Sequence, residues 1–327
     1  MARKYIMNKS ITTVIPNYNG SELLRKNLPI VISAIKSYGY ESSLIVVDDG
    51  SSDDSLDVLN HEFPNVKVVV HQKNKGFADA VHSGVKEATT DLVFILNSDV
   101  QLTEDFFPPL VSHFEDVNTF SVNPLIYDEK GEVKRHSWNY RQFKKGGISL
   151  LKWTLEEAQS IVNAGKRCPT MYGHGGSMLV RKSMFDALGG FDPIFKPYYG
   201  EDSDIGIRAW RRGWYSYFEP GSSIVHQRIG AIRANVKMKQ VKCIRRRNRY
   251  ILEWIHLTPE QLIFKAIPMS IFQLLGELVI FDLVNLKGFL LALTKVPEVM
   301  AARARVKRTE QLSIKEVFKI IGQKSVP

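Results

Sequence analysis

Two stretches of the sequence decide the fold: residues 44–51 read LIVVDDGS, and residues 92–99 read LVFILNSD. In each stretch a short apolar run ends at acidic or amide side chains. Apolar runs of this length, bounded by turn residues, are typical of buried β-strands. Ligands of an open α/β sheet bind just beyond the carboxyl ends of its strands. The sequence therefore places at least three carboxylates, those of Asp48, Asp49 and Asp99, where a ligand is expected.

Carboxylates that lie close together repel one another unless a cation or a hydrogen-bond donor joins them. The stretch around Asp99 supplies oxygen ligands and no cysteine, which suits Mg²⁺ or Mn²⁺ bridging phosphate groups. Nearby, residues 74–78 read NKGFA and precede a predicted helix, whose N-terminus favours an anion. A tight turn after the strand at residues 44–47 does not by itself explain why two aspartates, Asp48 and Asp49, stand there. Together these features predict a metal ion and a polar small molecule at this edge of the sheet.

Strands and helices alternate through the first hundred residues. Strands are predicted over residues 11–15, 44–47, 66–70 and 92–96, and helices over residues 22–38, 53–62 and 76–88. This alternation implies a largely parallel, doubly wound sheet. Later predictions are a loop over residues 128–147, a strand over 177–180, a helix over 202–212 and helices throughout 238–321.

The composition is that of a folded, basic protein. The chain has 327 residues, 44% of them hydrophobic, which is enough for a large core and excludes a mostly disordered chain. Its net charge of +10 is concentrated in residues 237–249 and 303–308, which favours a phosphorylated substrate, an anionic membrane or nucleic acid as partner. Two cysteines are too few for a disulfide framework, and the N-terminus lacks a secretory signal pattern. We therefore expect a cytoplasmic protein.

The most apolar region, residues 264–293, is interrupted by charged residues and by Pro268. Its longest uncharged stretch, residues 266–276, is shorter than the roughly 20 apolar residues that a membrane-spanning helix needs. An amphipathic helix on an anionic membrane surface fits better, because basic clusters flank the region. The alternative is a helix that packs on the protein's own core or on a second subunit, forming a homodimer through the C-terminal helices.

A second acidic group occurs in residues 199–204, which read YGEDSD, and His226 ends a later apolar run. The favourable interaction of carboxylates with a helix N-terminus accounts for Asp204 better than for Glu201 and Asp202. A lone histidine after a strand is more often structural than a ligand. Each motif alone is a modest signal, so the order and spacing of all of them carry the functional argument.

In order and spacing the motifs resemble glycosyltransferase family 2, a family of inverting enzymes with the GT-A fold. The resemblance covers residues 10–250, and its acceptor side runs from the GGFD of residues 189–192 through Glu201 and Asp202 to His226. It implies an α/β fold of the GT-A type, which is similar to that of nucleotide-diphospho-sugar transferases. The sheet of this fold is mixed and doubly wound, and a helical C-terminal extension follows it. The implied domains are a catalytic domain at 1–235, with a nucleotide-sugar-binding half at 10–100 and an acceptor-binding half at 101–235, and a helical, basic, amphipathic region at 236–327.

The resemblance also implies the roles of single residues on the donor side. The predicted donor-contacting residues are Pro16, Asn17, Asn19, Glu22, Asp48, Asp49, Asn74, Gly76, Asn97 and Ser98. Asp49 corresponds to the aspartate that hydrogen-bonds the nucleotide base, and Asn74 and Gly76 to the loop near the ribose and phosphates. Asp99 and His226 correspond to the metal site for Mg²⁺ or Mn²⁺. Asn97 stands in place of the first aspartate of the Asp-x-Asp motif, which removes one charge.

On the acceptor side, Asp202 corresponds to the catalytic base, which takes a proton from the attacking sugar hydroxyl. Glu201 is expected to orient the acceptor or Asp202. The implied reaction is metal-dependent transfer of a hexosyl or deoxyhexosyl group from a UDP- or dTDP-linked donor to a glycan or polyprenyl-diphosphate-linked acceptor. The motif at residues 96–100 and the basic C-terminus look like rhamnosyltransferases of surface polysaccharide or cell-wall glycan synthesis, peripheral on the cytoplasmic face of the membrane. Without the Gln-x-x-Arg-Trp motif of processive members, a distributive enzyme is expected.

Three alternatives remain from the residues alone. A nucleotidyltransferase would need a glycine-rich loop with Arg and Lys after the first strand, where residues 17–20 read NYNG. A nucleic-acid-binding module would use residues 237–249, but its stacking aromatics are limited to Tyr250 and Trp254, so no nucleic-acid partner is expected. An inactive fold retained for interaction is disfavoured by the presence of Asp99 and Asp202.

Overall fold

The computed structural model describes residues 9–103, 105–227, 237–279, 281 and 283–327. Their strands are β1 Ile11–Asn17, β2 Ser42–Asp48, β3 Lys67–Val70, β4 Leu92–Leu96, β5 Val100–Leu102, β6 Thr119–Tyr127, β7 Arg141–Lys144, β8 Gly147–Leu150, β9 Cys168–Pro169, β10 Ser177–Arg181 and β11 Tyr215–His226. A nine-stranded sheet has the order β3-β2-β1-β4-β10-β6-β11-β5, with β9 added to β11. The separate β7–β8 hairpin completes the strands of the described residues.

The helices of the catalytic part are α1 Ser21–Tyr38, α2 Ser55–Glu62, α3 Phe77–Glu87, α4 Phe107–Ser112, α5 Leu155–Asn163, α6 Lys182–Ala187 and α7 Glu201–Arg211. The C-terminal part begins with a basic helix, Met238–His256, and an apolar helix, Pro259–Val279. Helices Val284–Leu293, Val296–Thr309 and Ile314–Gly322 follow. The apolar helix contains a π-helical turn at Leu262–Ala266.

The first half of the sheet is parallel, as the alternation of strands and helices predicts. β1 pairs in parallel with both β2 and β4, and the register sets Asn17 opposite Asp48 at the carboxyl ends of β1 and β2. Pro16 lies within β1, one residue before that end. β4 is fully buried, because helices and loops cover both faces of the sheet. β10 then joins β4 antiparallel, which makes the sheet mixed.

The predicted strands and helices of the first hundred residues lie within two residues of the observed ones, and α2 begins two residues later than expected. The predicted start at Asp53 is wrong, because the Asp53 carboxylate accepts hydrogen bonds from the backbone amides of Ser21 and Ser55 and lies outside the helix. The N-cap residue is Asp54. The stretch at residues 128–147, predicted to be rich in loops, contains one short strand, β7, and its last residue begins β8.

The C-terminal helices pack on the catalytic part through buried polar contacts. The Asn248 side chain of the basic helix donates to the carbonyl oxygens of Phe195 and Tyr199 at 2.7 and 2.6 Å. One helix of the described residues, Pro259–Val279, is long and apolar enough to cross a membrane by length and composition, with a mean hydropathy of 1.6. This helix is longer than the uncharged stretch at residues 266–276, because it includes Lys265 and Glu277.

Candidate active site

The carboxyl ends of β1 and β2 carry a buried polar network. The Asn17 side-chain amide donates to Ser55 Oγ at 3.0 Å and to Asp48 Oδ2 at 3.3 Å, and Asp48 Oδ1 accepts from the Ser51 amide at 3.0 Å. Asn19, with a φ of 50°, donates its backbone amide to Ser51 Oγ at 2.9 Å. The structure thus brings Asn17, Asn19 and Asp48 together, and protein hydrogen-bond donors contact both oxygens of the buried Asp48 carboxylate.

Asp49 fastens the following loop to the end of β2. Its Oδ1 lies 2.6 Å from His71 Nδ1 and accepts from the Lys75 amide at 2.9 Å, while its Oδ2 accepts from the Gly76 amide at 2.8 Å. Gly76 has a φ of 93°, which favours glycine. The exposed Asn74 therefore stands on a loop that Asp49 positions. No sequence pattern marks His71, because its partner Asp49 is 22 residues away in the chain.

Three other predicted donor residues have different surroundings. Glu22 lies on the exposed face of α1, where its carboxylate pairs with Arg25 at 2.6 Å, so the structure does not bring it into the polar network. The Asn97 side chain lies against Gly176, where a Cβ would come within 2.5 Å of the Asn97 amide nitrogen. The Ser98 carbonyl oxygen accepts a hydrogen bond from a side chain of α1 at 2.7 Å. Asn97 and Ser98 thus line the turn that carries Asp99.

The two predicted metal ligands are adjacent. His226 ends β11, and its Nε2 lies 3.3 Å from Asp99 Oδ1. A backbone hydrogen bond of 2.9 Å from Gln227 to the Asp99 carbonyl oxygen closes the turn beside the edge strand. Among the described residues no group of three or more His, Cys, Asp or Glu side chains is arranged to hold a metal ion. This donor pair fits a divalent cation whose remaining ligands are phosphate oxygens and water, because Mg²⁺ is commonly held in that way.

A row of imidazoles continues from the metal ligands into the site. The rings of His226 and His174 lie 5.4 Å apart, and those of His174 and His136 lie 5.1 Å apart in a stack. Burial holds the pKa of His174 well below its usual value and lowers the pKa of His136 to about 4. Both rings are therefore neutral at physiological pH. The Gly-His-Gly-Gly stretch at residues 173–176 is the sequence signal that marks His174, because its glycines allow close approach of the backbone.

Glu201 and Asp202 begin α7, after Gly200 with a φ of 104°. Asp202 accepts from the backbone amides of Ser203 at 2.6 Å and Gly175 at 3.4 Å. Glu201 Oε2 is buried without a hydrogen-bond partner in the described part of the chain. Burial, reinforced by the charge of Asp202, raises the pKa of Glu201 to about 8. Burial also raises the pKa of Asp202, whereas the hydrogen bonds from the two amides favour its charged form.

The third acid of this group is structural. Asp204 is buried, forms an ion pair with Arg208 at 2.7 Å and shares a hydrogen bond of 2.9 Å with His256 Nε2. Burial acts to raise the pKa of Asp204, but Arg208 and His256 outweigh it and hold the pKa below its ordinary value. Because His256 belongs to the basic helix, Asp204 ties α7 to the C-terminal helices.

A mixed sheet with a polar edge at β1, β2 and β4, and acidic residues at the start of α7, agree with the architecture expected of the GT-A class. Residues 12–189, more than half of the chain, match the family described as Glycosyl transferase family 2. The chain therefore belongs to glycosyltransferase family 2. This membership favours glycosyl transfer over the nucleotidyltransferase and binding-module alternatives.

This chain aligns with only part of the length of its curated relatives. The chain is 26% identical over 206 residues to N-acetylglucosaminyl-diphospho-decaprenol L-rhamnosyltransferase of Mycobacterium tuberculosis, covering 57% of this chain and 66% of the relative. It is 36% identical over 186 residues to undecaprenyl-phosphate 4-deoxy-4-formamido-L-arabinose transferase of Proteus mirabilis, covering 54% of this chain and 51% of the relative. The chain thus spans less than two thirds of the length of both.

Two solved structures share the fold. GalNAc-T7, solved with UDP, GalNAc and Mn²⁺, aligns with a TM-score of 0.61 at 18% identity over 77% of this chain and 49% of that protein. The mannosyltransferase PcManGT of Pyrobaculum calidifontis, solved with GDP-Man and Mn²⁺, aligns with a TM-score of 0.53 at 16% identity over 92% of this chain and 76% of that protein. At these identities the alignments establish the fold alone.

Proposed function

We propose that this chain transfers a sugar from a nucleotide-diphospho-sugar to a glycan acceptor with inversion at the anomeric carbon. One observation carries the proposal: a single loop joins the two predicted halves of the site. The His174 ring meets the ring of His226, a proposed metal ligand, edge-on at 5.4 Å, and the amide of the next residue, Gly175, donates to Asp202 at 3.4 Å. This loop therefore links Asp202 to the part of the site where the donor's diphosphate is expected.

Asp202 acts as the general base in this proposal. A hydroxyl of the acceptor attacks the anomeric carbon, its proton passes to the Asp202 carboxylate, and the bond from that carbon to the diphosphate oxygen breaks. One displacement inverts the anomeric configuration and releases a nucleoside diphosphate. Glu201, protonated at neutral pH, has an O–H that can donate a hydrogen bond to the acceptor or to Asp202.

The donor lies at the carboxyl ends of β1, β2 and β4. In the proposed roles, Asp48 and Asp49 form the part of the sheet edge that contacts the nucleotide base. Asn74 and Gly76 lie beside the ribose and the phosphates. Asp99 and His226 would hold Mg²⁺ or Mn²⁺. When bound, the cation offsets the negative charge that develops on the leaving diphosphate. UDP- and dTDP-linked hexoses or deoxyhexoses are the proposed donors.

The proposed acceptor is a glycan on a polyprenyl diphosphate, in surface polysaccharide or cell-wall glycan synthesis. The names of the M. tuberculosis and P. mirabilis relatives, which specify diphospho-decaprenol and undecaprenyl phosphate, support this acceptor class. The protein would then work at the anionic cytoplasmic leaflet as a peripheral enzyme. Homodimer formation through the C-terminal helices is the competing use of the same region.

The test is a panel of nucleotide-sugars incubated with the full chain, Mn²⁺ or Mg²⁺ and a polyprenyl-diphosphate-linked sugar. We expect one donor to give transfer, and the product's anomeric configuration, assigned by NMR, to be opposite to that of the donor. Thermal stabilisation by the same donor identifies binding independently of turnover. Retention of configuration, or the absence of both binding and hydrolysis with every donor, would refute the proposed function.

Glu201→Gln is expected to raise stability increasingly as the pH rises. Glu201 has a pKa of about 8 in the folded protein against an ordinary value of 4.5, so folding takes up a proton between these two pH values. The wild-type free energy of unfolding therefore falls as the pH rises through this window, whereas glutamine is neutral throughout. The Tm of the variant should exceed that of the wild type by a few degrees at pH 8, since about 1 kcal/mol shifts Tm by roughly 2–4 °C.

The matched control for this experiment is Glu156→Gln, which changes an exposed glutamate in the first turn of α5. Its Tm difference from wild type should be constant from pH 5 to pH 8. A Glu201→Gln difference that is equally constant would show that Glu201 is ionised at neutral pH in the folded protein.

A further inference from the structure

Arg141, the first residue of β7, is a cation whose hydrogen bonds are incomplete. Its guanidinium donates to the side-chain oxygen of Asn139 at 3.5 Å and lies 5.2 Å from the centroid of the Tyr172 ring. Its Nε is buried and has no hydrogen-bond partner among the described residues. A buried donor of a charged group that stays unpaired costs free energy. This cost favours a functional reason for the position of Arg141.

The surroundings of Arg141 fix it beside the first turn of α7. Asn139 is fully buried, and its side-chain amide donates to the carbonyl oxygen of Tyr172 at 3.1 Å, so it holds Tyr172 and Arg141 together. Tyr172 packs on Gly206 of α7, where a Cβ would come within 2.3 Å of the Tyr172 Cβ. Asp202 lies one helical turn before Gly206 on the same helix.

Ser203 connects Tyr172 with Asp202. The Ser203 amide donates to Asp202 Oδ1 at 2.6 Å, and the Ser203 hydroxyl donates to the same oxygen at 3.2 Å. Burial raises the pKa of Tyr172, whereas the charge of Arg141 and hydrogen bonds with Ser203 and Arg141 act to lower it. In the order Arg141, Tyr172, Ser203, Asp202, each group can donate to the next, because hydroxyls both donate and accept. A polar chain therefore leads from the guanidinium to the carboxylate.

The two acids at the start of α7 differ in what favours their charged forms. Burial raises the pKa of Asp202, and the positive charge of Arg141 is among the effects that act to lower it. Burial and the charge of Asp202 raise the pKa of Glu201 to about 8, and only backbone hydrogen bonds oppose that rise. Two neighbouring buried carboxyls do not ionise together easily. Arg141 thus favours ionisation of Asp202 over Glu201.

The other groups around this polar chain carry no charge at physiological pH. The Gly175 amide and the Tyr172 hydroxyl are neutral hydrogen-bonding groups. Burial is the main cause that lowers the pKa of His136 to about 4, and the charge of Arg141 adds to this effect. The His174 ring, stacked on His136, is also neutral. Arg141 is therefore the cation of the described residues that acts on Asp202.

We propose that Arg141 is a positioning residue for the reaction: through Tyr172 and Ser203 it keeps the Asp202 carboxylate charged and fixed in place. Glu201 then stays protonated beside it, and the proton of the attacking hydroxyl passes to Asp202. The use of this charge in catalysis rests on the proposed function, whereas the charge itself does not.

The direct test is ¹³C NMR of the full chain labelled at the aspartate Cγ atoms and titrated with pH. The Asp202 resonance is the one that is missing from the spectrum of Asp202→Asn. Loss of the positive charge disfavours the carboxylate form, so Arg141→Gln should raise the apparent pKa of Asp202 by about one unit, within the usual effect of a neighbouring opposite charge. Arg141→Lys keeps the charge and should shift the titration clearly less.

A matched control and a second variant make this test independent of how Arg141→Gln folds. Lys144→Gln removes an exposed charge from the same strand and should leave the Asp202 titration unchanged. Tyr172→Phe removes only the hydroxyl of the polar chain and keeps the packing on Gly206. It should raise the apparent pKa of Asp202 in the same direction as Arg141→Gln, by a smaller amount.

Transfer assays add a readout that a merely structural role of Arg141 would not change. The acidic limb of the pH profile of kcat/KM should move upward with the titration, because the base must be ionised. On that limb Arg141→Gln should be about tenfold slower than wild type, since one pH unit is a factor of ten in the ionised fraction. Well above the limb the two rates should converge, and the KM for the donor should stay within about twofold.

The outcomes separate this inference from the proposed function. An Asp202 resonance that titrates identically in wild type, Arg141→Gln and Tyr172→Phe would overturn the inference, while transfer by the wild type would leave the proposed function intact. A shifted titration without transfer from any donor would support the role of Arg141 and refute the proposed function. If Arg141→Gln raises only the KM for the acceptor, equally at every pH, Arg141 binds the acceptor and the inference is wrong.

Discussion

Asp202→Asn is expected to lower the rate of sugar transfer by roughly a thousandfold, within the range that a positioned general base contributes. The asparagine keeps the shape of the side chain but cannot take the proton of the attacking hydroxyl. Donor affinity should remain within about twofold of wild type, because Asp202 belongs to the acceptor side of the site. The measurement pairs initial transfer rates with calorimetric titration of the donor.

Asp204→Asn provides the contrast, since it lies on the same helix two residues later. The Asp204 carboxylate pairs with Arg208 and His256 in the buried contact between α7 and the basic helix. Its loss should lower the free energy of unfolding by about 3 kcal/mol or more, the usual cost of breaking a buried ion pair. Asp202→Asn should unfold within a few degrees of wild type. Normal transfer in folded Asp202→Asn would remove Asp202 from the mechanism.

The parallel half of the sheet was predictable because its signals are local. β4 has the bounds that the apolar run of residues 92–96 predicts, and α1 and α3 agree within one residue. The polar residues that follow β1, β2 and β4 meet at one edge because parallel strands share their direction. That geometry requires no knowledge of which residues contact each other.

The parts that were missed depend on contacts between distant residues. The β7–β8 hairpin has the turn sequence KKGG and little apolar alternation, so its position depends on the apolar helix more than a hundred residues later. His71 is held by Asp49 and Ser83, and His256 ties Asp204 to the C-terminal helices. No local pattern encodes such pairs.

Asp99→Ala is expected to weaken metal-dependent donor binding by about a hundredfold, more than the tenfold or so lost when a supporting group outside the ligand set is removed. Asp99 and His226, 3.3 Å apart, are the only ligand pair proposed for the cation, because Asn97 supplies no charge and lies against Gly176. With so few protein ligands, the diphosphate must complete the coordination. Metal and donor should therefore bind cooperatively, and one alanine substitution should weaken both.

The control for Asp99→Ala is Asp91→Ala, which removes an exposed aspartate at the opposite end of β4. Donor titrations with and without Mn²⁺ should show that the metal enhances affinity in wild type and Asp91→Ala, and that this enhancement is lost in Asp99→Ala. Binding without metal should be similar in all three, since the nucleotide contacts at β2 are unchanged. If Asp99→Ala keeps the full enhancement by Mn²⁺, the cation binds elsewhere, and the adjacency of Asp99 and His226 serves the edge-strand turn instead.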